Sequence, residues 1–181
     1  MNEIIKKNGI KFGVILGIIG IVSQLTVYLL GGITKENAIT GSVIQFVFWL
    51  AYLITRIVQS TTTKKELNGF ISFKDVFTTL TITITIGILI SQLFTFLLNN
   101  YIDVEYGKLM NAFINDQQVI AANAMKSFTK VSTDDLKELA KTDNFSIIKI
   151  LQGSAMAFLI SSIMNLILAA IFKSKTNTLN E

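Results

Sequence analysis

The sequence predicts an all-α polytopic membrane protein, with four transmembrane helices and a helical periplasmic insertion between the third and the fourth. Three observations carry this. Hydrophobic residues make up 51% of the 181 and charged residues 15%, a balance too apolar for an ordinary soluble domain. The stretches 12–34, 37–55, 76–102 and 150–172 contain no Asp, Glu, Lys or Arg, and each can supply the roughly 20 residues with which a helix crosses about 30 Å of hydrocarbon. Between the second and third lies the polar stretch Arg56 to Asp75, whose basic residues Arg56, Lys64, Lys65 and Lys74 assign it to the cytoplasmic side. A β-barrel would need segments of roughly ten residues alternating with period two, and these runs do not keep that pattern.

Composition also removes chemistry. With no Cys and no His, disulfides, thiolate metal sites and cysteine nucleophiles are excluded, and the commonest general base is missing. Proline is absent, so a bend in any span has to come from Gly or Ser. A net charge of +4, without a dense basic cluster interleaved with aromatics, speaks against nucleic acid as a partner. Walker A, H-E-x-x-H, G-x-S-x-G and dinucleotide fingerprints do not occur. Asp103 and Glu105, two apart, would point to different faces of a helix. The expectation is a single membrane domain that is not an enzyme and takes no cofactor or metal.

The first span, about 12–32, follows Lys6, Lys7 and Lys11. That start resembles a secretory signal, but the apolar run exceeds 7 to 15 residues and lacks a clear small-x-small cleavage site, so it predicts an uncleaved helix. Gly13, Gly17 and Gly20 fall on one side of it, at a spacing that lets two backbones approach. Packing within the protein is expected, with a homodimer seam as the alternative. In the second span, about 38–58, Ser42, Gln45, Trp49, Tyr52 and Arg56 recur at three- and four-residue steps. This polar face should hydrogen-bond to other helices, with the Arg56 stem reaching toward headgroups at the cytoplasmic end. A polar path or ligand pocket is the weaker alternative, because the charge-free runs place no ionisable group near mid-membrane.

In the central loop, Gly69 can supply a turn, and Phe70, Ile71 and Phe73 suit the membrane interface beside Lys74. The segment Asn68-Gly69-Phe70-Ile71-Ser72-Phe73-Lys74-Asp75, followed by a long apolar span and then Tyr101-Ile102-Asp103-Val104-Glu105-Tyr106, resembles an uncharacterised Bacteroidetes family, the domain of unknown function 4199. The basic start and Gly-rich first span belong to the same resemblance, which covers most of the chain. It departs at Val104, where the family is expected to carry proline. The resemblance implies a small inner-membrane protein and no particular activity.

The third span, about 76–100, alternates Thr and Ile from Thr79 to Ile86 as a strand would, but its length favours a helix, which satisfies its own backbone in lipid. On that helix Thr78, Thr81, Thr85, Gln92, Thr95 and Asn99 form a polar stripe, expected to meet the stripe of Ser42 and Gln45 on the second span. The insertion, 101–147, shows helical spacing from Tyr106 through Phe113 and Ile120 to Phe128. Ser132 to Asp135 then offer a cap and first-turn acids for a further helix, and Asp143-Asn144 offer a cap for the last. In the fourth span, about 148–172, Gly153, Ala157, Ser161, Asn165 and Ala169 form a ridge of small residues expected to pack closely.

Nine of the 16 Lys and Arg fall at the termini and central loop, and the others lie chiefly in the long insertion, which weighs little in orientation. Both termini are therefore expected in the cytoplasm of a bacterial inner-membrane protein. The functional expectation is a structural or accessory subunit of an envelope complex. A small transporter or channel component is the alternative, and a lipid-handling protein the second. The insertion, with Phe113, Ile120 and Phe128, is the expected contact for another envelope membrane protein. Other partners are lipids and, as an alternative, further copies of the chain.

Overall fold

The computed structural model describes residues 2–34, 36–125 and 132–174, which form helices and connections with no strand among them. The long helices are α1 (Glu3–Leu29), α2 (Ala38–Glu66), α3 (Phe73–Leu97) and α6 (Ile147–Phe172). Together with the π-helical turn Leu98–Ile102 that extends α3, they are the four helices long and apolar enough to cross a membrane. The shorter α4 (Val104–Ala124) and α5 (Thr133–Leu139) lie between α3 and α6.

Helix ends follow local chemistry. The Asn2 side chain accepts from the Ile4 N–H to cap α1, Ser72 accepts from Asp75 to cap α3, and Asp103 accepts from Tyr106 to cap α4, each satisfying a first-turn donor that has no intrahelical partner. Val104 is thus the first residue of α4, a position where proline is also tolerated. Gly31 and Gly32, with φ of +74° and +90°, turn the chain out of α1 through a left-handed conformation that a side chain would resist. All four spans run beyond their charge-free stretches, α1 and α2 furthest: α1 begins at Glu3, and α2 continues past Arg56 to Glu66.

The bundle is built on α1 against α3, which run parallel. Gly9, Gly13 and Gly17 receive Ile82, Ile86 and Ile90, and a Cβ on Gly13 would lie 2.7 Å from the Ile86 Cβ. Such closeness lets hydroxyls of one helix reach backbone carbonyls of the other: Thr79 donates to Ile5 O and Thr83 to Gly9 O, both at 3.0 Å. α2 and α6 run antiparallel to α3. One end of the bundle, holding the α2–α3 connection and Ser174, is tightly tied. There Asn8 donates to Thr63 and Glu66, Ser174 N donates to Ile71 O, and Ile71, Val76, Leu80, Leu168 and Ala169 form the apolar core.

The opposite end carries the insertion. Asn111, Asn115 and Gln118 on α4 grip the connection before α6. Asn144 is the hub: its side chain donates to Asn111 Oδ1 at 2.9 Å and Asn115 Oδ1 at 2.6 Å, and accepts from Gln118 at 3.0 Å. Asn144 does not cap the last helix, whose N-cap is Ser146. Ser132 and Asp135 form a reciprocal capping box on α5. The Ser132 N–H and hydroxyl hold the Asp135 carboxyl below the usual aspartate range.

Candidate functional site

Toward the middle of the bundle α2 draws away from its neighbours and leaves a cavity of about 560 Å³, within the range of small-molecule sites. Its position follows from its lining. Leu16, Tyr52, Ile84 and Ile160 all border it, and each lies at or next to the midpoint of its helix. α1 and α3 form the back wall through Leu16, Ile84 and Gly87, and α2 and α6 form the flanks. The rim residues Trp49, Ile160, Ile163 and Ile167 are each about half exposed, so the mouth opens sideways between α2 and α6.

Most of the wall is aliphatic, and one cation enters it. Arg56 is only 9% exposed and lines the cavity. Its Nε has no hydrogen-bond partner, and no Asp or Glu shares the lining. Tyr52, one turn earlier, borders the cavity with Ser91, and Gln92 and Ser161 complete the polar groups of the wall. Charge buried in an apolar setting is costly unless paired, so this arrangement leaves an unmet demand for an anion.

Arg56 is therefore drawn into the bundle and does not lie at the end of α2. It lies one turn past the midpoint of α2, because that helix extends through the polar residues Gln59, Ser60 and Thr63, all fully buried against the bundle. Their partners differ: Gln59 Nε2 donates to Thr79 O at 3.1 Å and to the hydroxyls of Thr79 and Thr83 on α3, the Ser60 hydroxyl donates to Arg56 O, and Thr63 accepts from Asn8 on α1. The α2–α3 polar meeting is thus made by Gln59, Thr79 and Thr83. Ser42 and Gln45 are exposed on α2, Thr85 is exposed and bonds back to Thr81 O, and Thr81 Oγ1 is buried without a partner. Gln92 lines the cavity instead of meeting Ser42 or Gln45. The threonines that bond α2 sit two positions from those expected, a rotation of about 160° on a helix.

Gly13, Gly17 and Gly20 all face close neighbours; a Cβ on Gly20 would overlap the hydroxyls of Ser91 and Tyr52. The α6 ridge divides. Asn165 and Ala169 are fully buried, Ala157 and Ser161 border the cavity, and Gly153 faces open space, with nothing within 4 Å of a would-be Cβ. Close packing does not extend over the ridge's first half, because α6 meets α3 chiefly near the tied end.

A second cavity of about 270 Å³ lies under α4. Phe113 is half-buried and lines it with Met110, Ile114 and Tyr106. Tyr28 donates to Asp103 at 3.0 Å and packs edge-on against Tyr106. Burial, with Tyr28 and Asp103 close by, pushes the Tyr106 phenol up. Ile120 is exposed, and Phe128 lies outside the described residues.

Sequence reasoning missed Gln59, Thr79, Thr83 and the burial of Arg56; extending the three- and four-residue steps of α2 from Arg56 to Gln59, Ser60 and Thr63 would have found Gln59. No curated protein and no solved structure matches the chain. The family described as "Protein of unknown function (DUF4199)" matches residues 11–174, and the chain belongs to that family.

Proposed function

We propose that this chain is a lipid-handling membrane protein that holds an amphiphilic small molecule in its mid-bundle cavity. The observation that carries the reading is Arg56, buried and with an unpartnered Nε, in a largely apolar chamber whose mouth opens between α2 and α6. A purely structural bundle gains nothing from an unpaired internal charge, since an apolar residue of similar volume would be as stable or more so. Intramembrane ionisable groups mark ligand or ion sites far more often than packing contacts. The bilayer we infer is the inner membrane of a Bacteroidetes cell, with both termini cytoplasmic and α4–α5 periplasmic. Basic residues flanking the tied end support that orientation, and reporter fusions at residues 66 and 120 should give cytoplasmic and periplasmic signals respectively.

The test is native mass spectrometry after mild-detergent purification. Wild-type protein should retain a small molecule that the cavity-filling variant Ser161→Phe does not. An empty wild type, or equal retention by the filled variant, would remove the reading.

A second role, accessory subunit of an envelope complex without catalysis of its own, is favoured by Gln45. Its side chain is exposed on α2 and borders the cavity beneath α4 with Gln24, Thr95 and Asn99, so an amide at this rim can bond to a polar group of a partner helix. Loss of a co-purifying chain on Gln45→Leu would support it, and an unchanged set of chains would eliminate it.

A further inference from the structure

We infer that the ligand of the Arg56 cavity is a single-chain carboxylate, a long-chain fatty acid drawn sideways from the bilayer with its carboxylate on the guanidinium. This rests on the reading of the cavity as a ligand site and adds the chemical class.

The charge comes first. A buried guanidinium with an unpartnered Nε, and no acid in the same wall, selects an anion, and its planar fork matches a carboxylate in particular. The route comes second. The rim residues are apolar and half exposed at mid-helix level, so a membrane-spanning bundle would present the mouth to hydrocarbon and not to water. Entering from that side, a water-soluble anion would have to cross hydrocarbon, and a phospholipid would have to draw a permanently charged headgroup away from the membrane surface, which is costly. A carboxylic acid avoids that cost: exchanging its proton with interfacial water, it can cross hydrocarbon in the neutral form, and the charged form is the one a neighbouring cation favours. The shape comes third. Trp49 lies seven residues from Arg56 on α2, about 10 Å along the axis, and both border the same chamber. A chain anchored at Arg56 therefore has apolar wall to follow toward Trp49.

Trp49 is the single tryptophan of the chain, which supplies a direct readout. The full-length protein would be placed in nanodiscs of zwitterionic phosphatidylcholine and titrated with a fatty acid brominated at mid-chain, a contact quencher of indole. The wild type should show saturable quenching at low mole fraction. The methyl ester of the same acid, or the acid with Arg56→Met, should need roughly ten- to a hundredfold more ligand, the loss of one charge-assisted hydrogen-bonded contact. Because the ester arm uses unmodified protein, the result does not depend on how the variant folds. Equal quenching by acid and ester would overturn the carboxylate while leaving the cavity reading intact. Competition by phosphatidylglycerol, with none by unbrominated fatty acid, would assign the site to a phospholipid phosphate and overturn the proposal. If no amphiphile quenches saturably and the purified protein retains no small molecule, both inferences fall together.

Discussion

Replacing Gly17 by Ala adds one methyl group at a close approach of α1 to α3, and its effect can be worked from distances. The new Cβ would lie 2.6 Å from the Ile90 Cβ, 2.7 Å from its Cγ2 and 2.9 Å from its Cδ1, whereas carbon atoms rest at about 3.5–4.0 Å. A rotamer change of Ile90 relieves the last two contacts but not the first, since that Cβ is fixed to the α3 backbone. The helices must therefore part by about 1 Å to restore ordinary contact. The same movement would strain the hydrogen bonds of Thr79 to Ile5 O and Thr83 to Gly9 O, both now 3.0 Å. Overpacking of this kind costs about 1–3 kcal/mol, and the better helix propensity of Ala offsets at most about 1 kcal/mol of it. A net loss of roughly 1–2 kcal/mol is expected. Gly153→Ala makes the same chemical change where nothing lies within 4 Å, and should be neutral or slightly stabilising. Reversible unfolding in mixed detergent micelles, followed by circular dichroism, measures both. Equal stability of Gly17→Ala and Gly153→Ala would refute the close α1–α3 packing.

Two further outcomes follow from the insertion. Asn144→Ala removes three side-chain contacts to Asn111, Asn115 and Gln118 and should loosen α4 from the connection before α6 by about 1–3 kcal/mol; hydrogen exchange should rise in α4 and around Thr142, with the four long helices unchanged, and unaltered protection there would count against the network. The Asp135 carboxyl is held low by its bonds from Ser132, so its contribution to α5 is present above the ordinary aspartate range and lost as pH falls through the lower folded value. Amide shifts of α5 should follow that acid transition, and in Ser132→Ala it should move to higher pH, because the hydroxyl is lost while the residue-132 N–H still donates to the carboxyl; identical titrations would show that the Ser132 hydroxyl does not govern α5.

The sequence by itself determined the class, because charge-free runs of that length admit few structures in a membrane: a helix satisfies its own backbone where lipid cannot. It also determined the close seam of α1, since Gly13 and Gly17 recur with the helical repeat and no other residue lets backbones approach so far. Depth was decided only by tertiary structure. A charge-free run shows where charges stop, not where a helix leaves the bundle, and α2 carries Arg56, Gln59 and Thr63 inward because Thr79, Thr83 and Asn8 meet them there. Which face of α3 is polar in the working sense was likewise undetermined by composition: Thr79, Thr81, Thr83 and Thr85 are chemically alike, and only the positions of α1 and α2 select Thr79 and Thr83. Phe113 is the same case, an aromatic on an amphipathic helix that fits a partner or its own bundle equally well until α4 folds over the cavity beneath it. The Arg56 chamber belongs to this second kind, for an internal space is a property of how helices diverge, and no single helix records it.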